Sequence, residues 1–108
     1  TAEKAFARAL RGKPNDAEIN LYMGVTKMNI GRWEEAKHYL QVASSRDAKH
    51  PDPKSRLGVT YAKLGDKAGA YAQRAQLEQM ALACRGACRM SSYIADGIGM
   101  IDQALAEN

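Results

Sequence analysis

The chain has 108 residues, of which 45% are apolar and only 6% aromatic, and its 16 basic and 12 acidic residues give a formal net charge of +4. A chain of this length can bury a hydrophobic core as one domain. It has no apolar run near the roughly 20 residues that a membrane-spanning helix needs. Its two cysteines are too few for a disulfide-stapled miniprotein. Frequent alanine and scarce proline favour helices over sheets.

The apolar periodicity and the turn signals predict six helices, so we expect an all-α fold. In chain order, the helices are expected at about residues 2–12, 16–31, 33–46, 52–65, 66–84 and 91–108. Asp16 and Asp66 are suited to cap two of them at their N-termini, and Gly31 and Gly65 are suited to end two of them. Pro53 falls in a first helical turn, where proline is tolerated.

A 34-residue repeat links the middle helices. Residues 23–31 (MGVTKMNIG) align with residues 57–65 (LGVTYAKLG), and the two segments share both glycines and a Val-Thr pair. The same offset connects Ala2, Ala36 and Ala70. A period of this length, filled by two short amphipathic helices, indicates a helical solenoid. Because a glycine inside a helix costs about 1 kcal/mol against alanine, the repeated Gly24 and Gly58 suggest close helix packing.

At these positions the chain resembles the tetratricopeptide repeat (TPR) family. The family pattern has an apolar-Gly pair and a closing Gly in the first helix of each repeat, then Ala, a large apolar residue and Ala in the second. Residues 20–43 match it with Met23, Gly24, Gly31, Trp33, Ala36, Leu40 and Ala43. Residues 2–14 match the second half of a preceding repeat, and residues 51–77 match a following one, so the resemblance covers about three quarters of the chain.

Several residues depart from the family pattern. Lys27 stands where the family usually has an aromatic residue, and Asn20 and Lys54 replace its first-helix Trp. Arg74 takes the position of the large apolar residue in the last repeat. The last repeat is therefore expected to be degenerate, with a second helix that shifts in register.

The resemblance implies antiparallel helix-turn-helix repeats stacked as a right-handed α-solenoid in a single domain, residues 1–108. Residues 1–14 are then the second half of a repeat, residues 15–48 a repeat, residues 49–84 a degenerate repeat, and residues 91–108 a capping helix. The first helix of the opening pair is missing. We therefore expect either that the chain is a fragment of a longer protein, or that a second molecule covers its first helix.

The C-terminal segment does not follow the repeat. Ser91 or Ser92 is suited to cap its helix, and a one-sided apolar stripe is formed by Ile94, Ile98, Ile101 and Leu105. A solenoid needs a terminal element over the exposed face of its last repeat, and we expect this helix to be that element. The alternative is a helix that binds a partner or a membrane surface, although its polar face is acidic.

In TPR proteins the first helices of successive repeats line a concave groove that binds peptides, and the resemblance implies such a groove here. The residues expected to line it are Leu21, Tyr22, Val25, Met28, Asn29, Ser55, Arg56, Val59, Ala62 and Lys63. Some TPR domains clamp a terminal carboxylate with Lys and Asn, but this chain has Leu21 and Val25 at those positions, so we do not expect that mode of binding.

The expected groove has an apolar centre, with Arg56 and Lys63 available to pair with carboxylates. This composition predicts a protein or peptide partner with apolar anchors and some acidic residues. The first alternative is a structural module that associates with itself through its N-terminal face, without a peptide ligand. The second is a metal- or redox-active protein.

Cys84 and Cys88 flank Gly86. A bridge between residues four apart would be strained in a continuous helix, whereas a turn at Gly86 would bring the two Cβ atoms within reach. Two alternatives remain open: a structural disulfide, which favours an exported or periplasmic protein, or two reduced thiols in a cytoplasmic domain. The closing segment is also similar to the ends of exported bacterial TPR proteins.

The sequence predicts no catalytic site, cofactor or metal. His38 and His50, the two histidines, lack the spacing of zinc ligands. There is no nucleophile elbow and no phosphate-binding loop, so we do not expect an enzyme. Nucleic-acid binding would need basic residues with free aromatic residues among them. The aromatic residues are instead assigned to repeat packing, so we expect no nucleic-acid partner.

Overall fold

A computed structural model describes residues 1–107, and within them it has six helices and no strand, with 79% of the chain helical. The helices are α1 (Ala2–Gly12), α2 (Ala17–Asn29), α3 (Trp33–Arg46), α4 (Pro51–Lys63), α5 (Lys67–Cys84) and α6 (Ser91–Ala106). The all-α prediction is confirmed, and the predicted helix boundaries lie close to the observed ones. In this part of the chain no helix is both long enough and apolar enough to cross a membrane.

Side-chain caps and glycine turns set most of the helix ends. The Asp16 carboxylate accepts a hydrogen bond from the Ile19 backbone N–H at 2.9 Å, and the Asp66 carboxylate accepts one from a backbone N–H of α5 at 2.9 Å. Both are therefore N-caps, as predicted. Gly31 and Gly65 follow α2 and α4 with φ of +76° and +80°, a left-handed conformation that glycine adopts without a steric penalty.

The start of α6 differs from the prediction. Ser91 and Ser92 both lie inside the helix, and the N-cap position belongs to Met90, which makes no capping hydrogen bond through its side chain. The prediction of a serine cap is therefore wrong. The helix instead follows a turn in which the Ser91 N–H donates to the Cys88 carbonyl at 3.2 Å, and this turn determines where the helix begins.

The helices pack mainly against their neighbours in the chain. Three-residue connections join α2 to α3 and α4 to α5, so each pair forms an antiparallel hairpin. α1 packs on α2, and α3 packs on α4. α6 packs closely on both α4 and α5, whereas α4 barely touches α2. α6 therefore lies closer to α4 than α4 lies to α2.

Two clusters of buried apolar residues form the core. One joins α2, α3 and α4 through Leu21, Ala36, Leu40, Ala43 and Leu57. The other joins α4, α5 and α6 through Ala62, Ala70, Leu77, Ile94, Ile101 and Ala104. An alanine fills little space between two helices, so the backbones can approach closely at the buried alanines Ala36, Ala43, Ala62, Ala70 and Ala104.

The repeated glycines make different contacts in the two hairpins. At Gly24 the Leu40 side chain lies against the helix, so α3 fills the space. At Gly58 the contact is with Ile101 of α6. Arg74, which takes the position of Leu40 in the second hairpin, instead pairs with a carboxylate of α6 at 2.6 Å. The replacement of leucine by arginine is thus accompanied by the insertion of Ile101.

Three buried polar residues stand where the family pattern has aromatic ones. Asn20 is 2% exposed and donates hydrogen bonds to two backbone carbonyls at 3.0 and 2.8 Å. Lys27 and Lys54 are each 6% exposed; Lys27 pairs with Glu3, and the Lys54 ammonium donates to the Ser44 hydroxyl at 3.1 Å. Burial lowers the pKa of Lys54. Each group therefore has a partner, as burial of polar atoms requires.

α1 is the least covered helix. It has no buried residue, and within the described part of the chain it packs only on α2. Ala2, Ala5 and Ala9 are exposed, while Phe6 and Leu10 are half-buried. Part of its predicted apolar face is therefore open.

Candidate functional site

The α2 residues predicted to line a groove divide by burial. Leu21 is 6% exposed and belongs to the core. Val25 and Met28 are half-buried and pack on the same cluster. Tyr22 and Asn29 are exposed, and Tyr22 keeps 46% of its surface accessible. This face of α2 is therefore open, with an apolar base and an aromatic ring above it.

Most of the α4 residues in the same prediction lie against α6. Ala62 is fully buried in the cluster that α6 completes, and Val59 packs on that cluster. Ser55 is 3% exposed and lies against a glycine of α6. The Lys63 ammonium pairs with a carboxylate that follows α6 at 2.9 Å. Of these five residues, Arg56 lines the cavity beside α2, and Ser55 and Arg56 both line the cavity against α6.

Three adjoining cavities run across the open faces of α2, α4 and α6, with volumes of about 240, 310 and 510 Å³. The first two share Leu21 and Tyr22, and the last two share Asp52 and Arg56. We call their lining the α2/α4 surface. It includes Phe6, Glu18, Leu21, Tyr22, Val25, Asp47, His50, Asp52, Arg56, Met90, Tyr93, Asp96 and Met100.

Hydrogen bonds within the chain engage the charged groups at the centre of this surface. The Arg56 guanidinium donates to the Asp52 carboxylate at 3.3 Å, one helical turn away. The Tyr22 hydroxyl donates to the Glu18 carboxylate at 2.7 Å, and this bond raises the pKa of Tyr22. Phe6 packs beside Tyr22 with 5.7 Å between ring centroids, so α1 contributes to the wall of the site.

Sequence reasoning missed the contribution of α6 to this surface. Tyr93 is 64% exposed and Met90 41% exposed, and both line the largest cavity with Asp96 and Met100. The signal was present, because residues 93, 96 and 100 recur at helical spacing on the face away from the isoleucine stripe. The acidic polar face of this helix and the alternative of partner binding both follow from the sequence, but this face was not connected to the groove of α2 and α4.

Cys84 and Cys88 form a disulfide in the connection between α5 and α6. Arg85 and Gly86 between them have φ of +54° and +71°, so the chain turns there instead of continuing the helix. The turn expected at Gly86 is therefore present. The disulfide lies outside the α2/α4 surface and links the last residue of α5 to the connection that precedes α6.

No group of three or more His, Cys, Asp or Glu side chains is arranged to hold a metal ion within residues 1–107. His50 caps α4, since its Nδ1 accepts from the Asp52 backbone N–H at 3.4 Å. His38 packs edge-on against Tyr39. Both histidines thus have structural contacts.

The stacked helical hairpins define a helical-repeat fold. The family model for the tetratricopeptide repeat matches residues 1–55, half of the chain, and the chain belongs to this family. No curated protein and no solved structure matches it. Members of the family are generally non-catalytic scaffolds that bind protein partners.

Proposed function

We propose that this chain is a scaffold that binds a peptide or protein segment on the α2/α4 surface, which corresponds to the concave groove of the family. The observation that carries the proposal is the continuity of the three cavities across α2, α4 and α6. Exposed aromatic and methionine side chains border them, and such residues are enriched in protein interfaces.

The proposed contact residues are narrower than the set predicted from the sequence. Tyr22 and Val25 of α2 and Arg56 of α4 remain in it because they line the cavities. Met28 and Asn29 lie farther along α2 and line none of the three cavities. Ser55 also lines the cavity against α6. Val59, Ala62 and Lys63 leave the set because they line none of the three cavities. A bound segment then lies between α1 and α4 and extends toward the outer face of α6. An apolar anchor of the segment would rest on Tyr22 and Val25.

The expected preference for acidic partners depended on Arg56 and Lys63. Asp52 already pairs with Arg56, and Glu107 already pairs with Lys63. A partner's carboxylate would have to displace one of these groups, so the proposal rests on the apolar contacts and not on those two cations.

Self-association through α1 is the second candidate, and the open apolar face of that helix favours it. Ala9 lies on this face and is exposed, so Ala9→Glu should disrupt the contact without removing a buried group. Sedimentation equilibrium of both proteins tests this candidate. A wild type that stays monomeric at high concentration rules it out.

The test of the scaffold proposal is a selection of random peptides displayed on phage against the immobilised chain. Binders should lose affinity about tenfold for Tyr22→Ala, because exposed aromatic anchors carry much of the binding energy at protein interfaces. Tyr71→Ala is the matched control, since Tyr71 is 56% exposed on α5 and lines none of the three cavities.

Circular dichroism on each variant establishes that the helices are retained. An enriched peptide that binds wild type and both tyrosine variants equally uses a different surface and contradicts the assignment of the site. A selection that enriches no binder contradicts the scaffold proposal itself.

A further inference from the structure

Most acidic residues of the chain have a local structural role. Asp16 and Asp66 cap helices. Those in ion pairs are Glu3, Glu34, Glu35, Asp52, Glu78, Asp102 and Glu107. The remaining carboxylates are Glu18, Asp47 and Asp96, and none of them forms an ion pair with any residue of the described chain.

All three of these carboxylates line the α2/α4 surface, where Glu18 also accepts a hydrogen bond from the Tyr22 hydroxyl. Glu18 and Asp47 border the smallest cavity, and Asp96 borders the largest. With Asp52 and Arg56, the lining carries four carboxylates and one guanidinium, a net charge of −3. The whole chain has a net charge of +4. The surface is therefore acidic on an otherwise basic protein.

Helix stability accounts for only one of the three carboxylates. Glu18 lies in the first turn of α2, where a carboxylate complements the helix dipole. Asp47 follows the last residue of α3, where the dipole disfavours a negative charge. Its negative charge acts through space to raise the pKa of the buried Lys54, against the lowering by burial, but the two residues form no ion pair. Asp96 lies in the second turn of α6, beyond the reach of the dipole.

The apolar part of the lining suits long basic side chains. Met90, Tyr93 and Met100 form one wall of the cavity that Asp96 borders. Methionine adapts its shape to a partner, and an aromatic face attracts a cation. The aliphatic stem of a lysine or arginine can lie on such a wall while its charge reaches a carboxylate.

We propose that the partner segment is basic, with lysine or arginine residues set between apolar anchors, and that Glu18, Asp47 and Asp96 pair with those cations. This inference deepens the proposed function and depends on it. It reverses the charge expected of the partner from the sequence. The three carboxylates then select the partner and increase its rate of association by electrostatic attraction.

Two phage-displayed peptide libraries that differ only in charge test the inference. Both carry the same pattern of randomised apolar positions, and the polar positions are Lys or Arg in one and Asp or Glu in the other. We expect binders from the basic library, with affinity that falls as salt is added. Against these peptides Asp96→Asn should bind about three- to tenfold more weakly, and the triple variant with Glu18→Gln and Asp47→Asn more weakly still.

Glu34→Gln is the matched control, because Glu34 is exposed on α3 and lines none of the three cavities. The triple variant should keep the helical content of wild type, since it breaks no ion pair, with a small loss of thermal midpoint from the helix dipole at Glu18. Enrichment of acidic binders, or equal affinity of basic binders for wild type and the triple variant, overturns the inference. Binding that is lost with Tyr22→Ala but unchanged by charge would overturn the inference and leave the proposed function standing. Failure of both libraries overturns the two together.

Discussion

Lys27 occupies a position that the family usually fills with an aromatic ring, and its side chain is only 7% exposed. Its ammonium pairs with Glu3 and with Glu35, the latter at 3.2 Å. The hydrogen bond to Glu3 raises the pKa of Lys27, and the same bond lowers the pKa of Glu3. The aliphatic stem thus fills the space of a ring while the charge reaches half-exposed carboxylates.

This pairing predicts that acid lowers stability. The pKa of Glu3 is below its ordinary value of 4.5 in the folded chain, so its contribution is present above that value and is lost as the pH falls through the folded-state pKa. The pKa of Asp102 is lowered by Arg74 in the same way. We expect the urea midpoint of wild type to decrease with pH below about 4.5. The Glu3→Gln variant should have a lower urea midpoint than wild type near neutral pH, and the two midpoints should converge in acid. A constant difference across this range would contradict the assignment.

We expect substitution by alanine to have opposite effects on stability at two glycines of α6. A Cβ at Gly97 would run into the Ser55 hydroxyl and lie 3.0 Å from the Ser55 Cβ, whereas a Cβ at Gly99 would have no neighbour within 4 Å. Gly97→Ala should therefore destabilise by about 1–3 kcal/mol, since Ser55 is buried and attached close to the backbone. Gly99→Ala should stabilise by about 0.5–1 kcal/mol through helix propensity. Urea unfolding of both variants measures the difference, and two changes of the same sign would refute the contact.

The helix ends follow local signals and were predictable from the sequence. Asp16, Asp66, Gly31 and Gly65 act within a few residues of their own positions, so the sequence pattern suffices to locate them. The position of α6 on α4 was not predictable in this way. It depends on two contacts between segments far apart in the chain. Ile101 of α6 packs at Gly58, and Arg74 turns toward α6.

The candidate site was also predictable only where it depends on local sequence, and not where it depends on the position of α6. The α2 part of the groove follows from the repeat, because the repeat alone determines which face of α2 is open. The α4 part was assigned to the groove by the same reasoning, but α6 covers Val59 and Ala62. A repeat pattern cannot indicate that a non-repeat helix packs on one of its faces, so the contact of α6 with Val59 and Ala62 was not predictable.

The disulfide between α5 and α6 predicts a stability that depends on redox conditions. A loop closed over so few residues is worth about 2 kcal/mol in the chain-entropy account. Urea unfolding with reductant should give a midpoint lower by the corresponding amount, and a Cys84→Ser/Cys88→Ser variant should be insensitive to reductant. The intact mass should rise by two hydrogens on reduction. An unchanged mass would mean that the thiols are free, and would remove the disulfide as an argument for an oxidising compartment.

The whole molecule is a linear series of neighbouring contacts. α1 touches only α2 within the described residues, the first cluster joins α2 to α4, and the second joins α4 to α6. In such a series each helix depends mainly on its neighbours, and an end element stabilises the unit beside it. Stability is therefore expected to vary along the chain, with α1 the least protected.

Removal of α6 tests this organisation. A chain that ends at residue 90 lacks Ile94 and Ile101, which are 2% and 0% exposed in the second cluster, and each contributes roughly 1.5–3 kcal/mol of burial. The truncation also exposes Ala62 and Leu77 to water. We expect amide hydrogen exchange to speed up strongly in α5 and in the second half of α4, and much less in α2 and α3, because those helices close the first cluster without α6.

A chain that begins at Lys13 is the complementary control, since it should loosen α2 and leave α5 unchanged. Equal loss of protection in both hairpins after removal of α6 would mean that the six helices unfold as one unit, with no separable neighbour contacts.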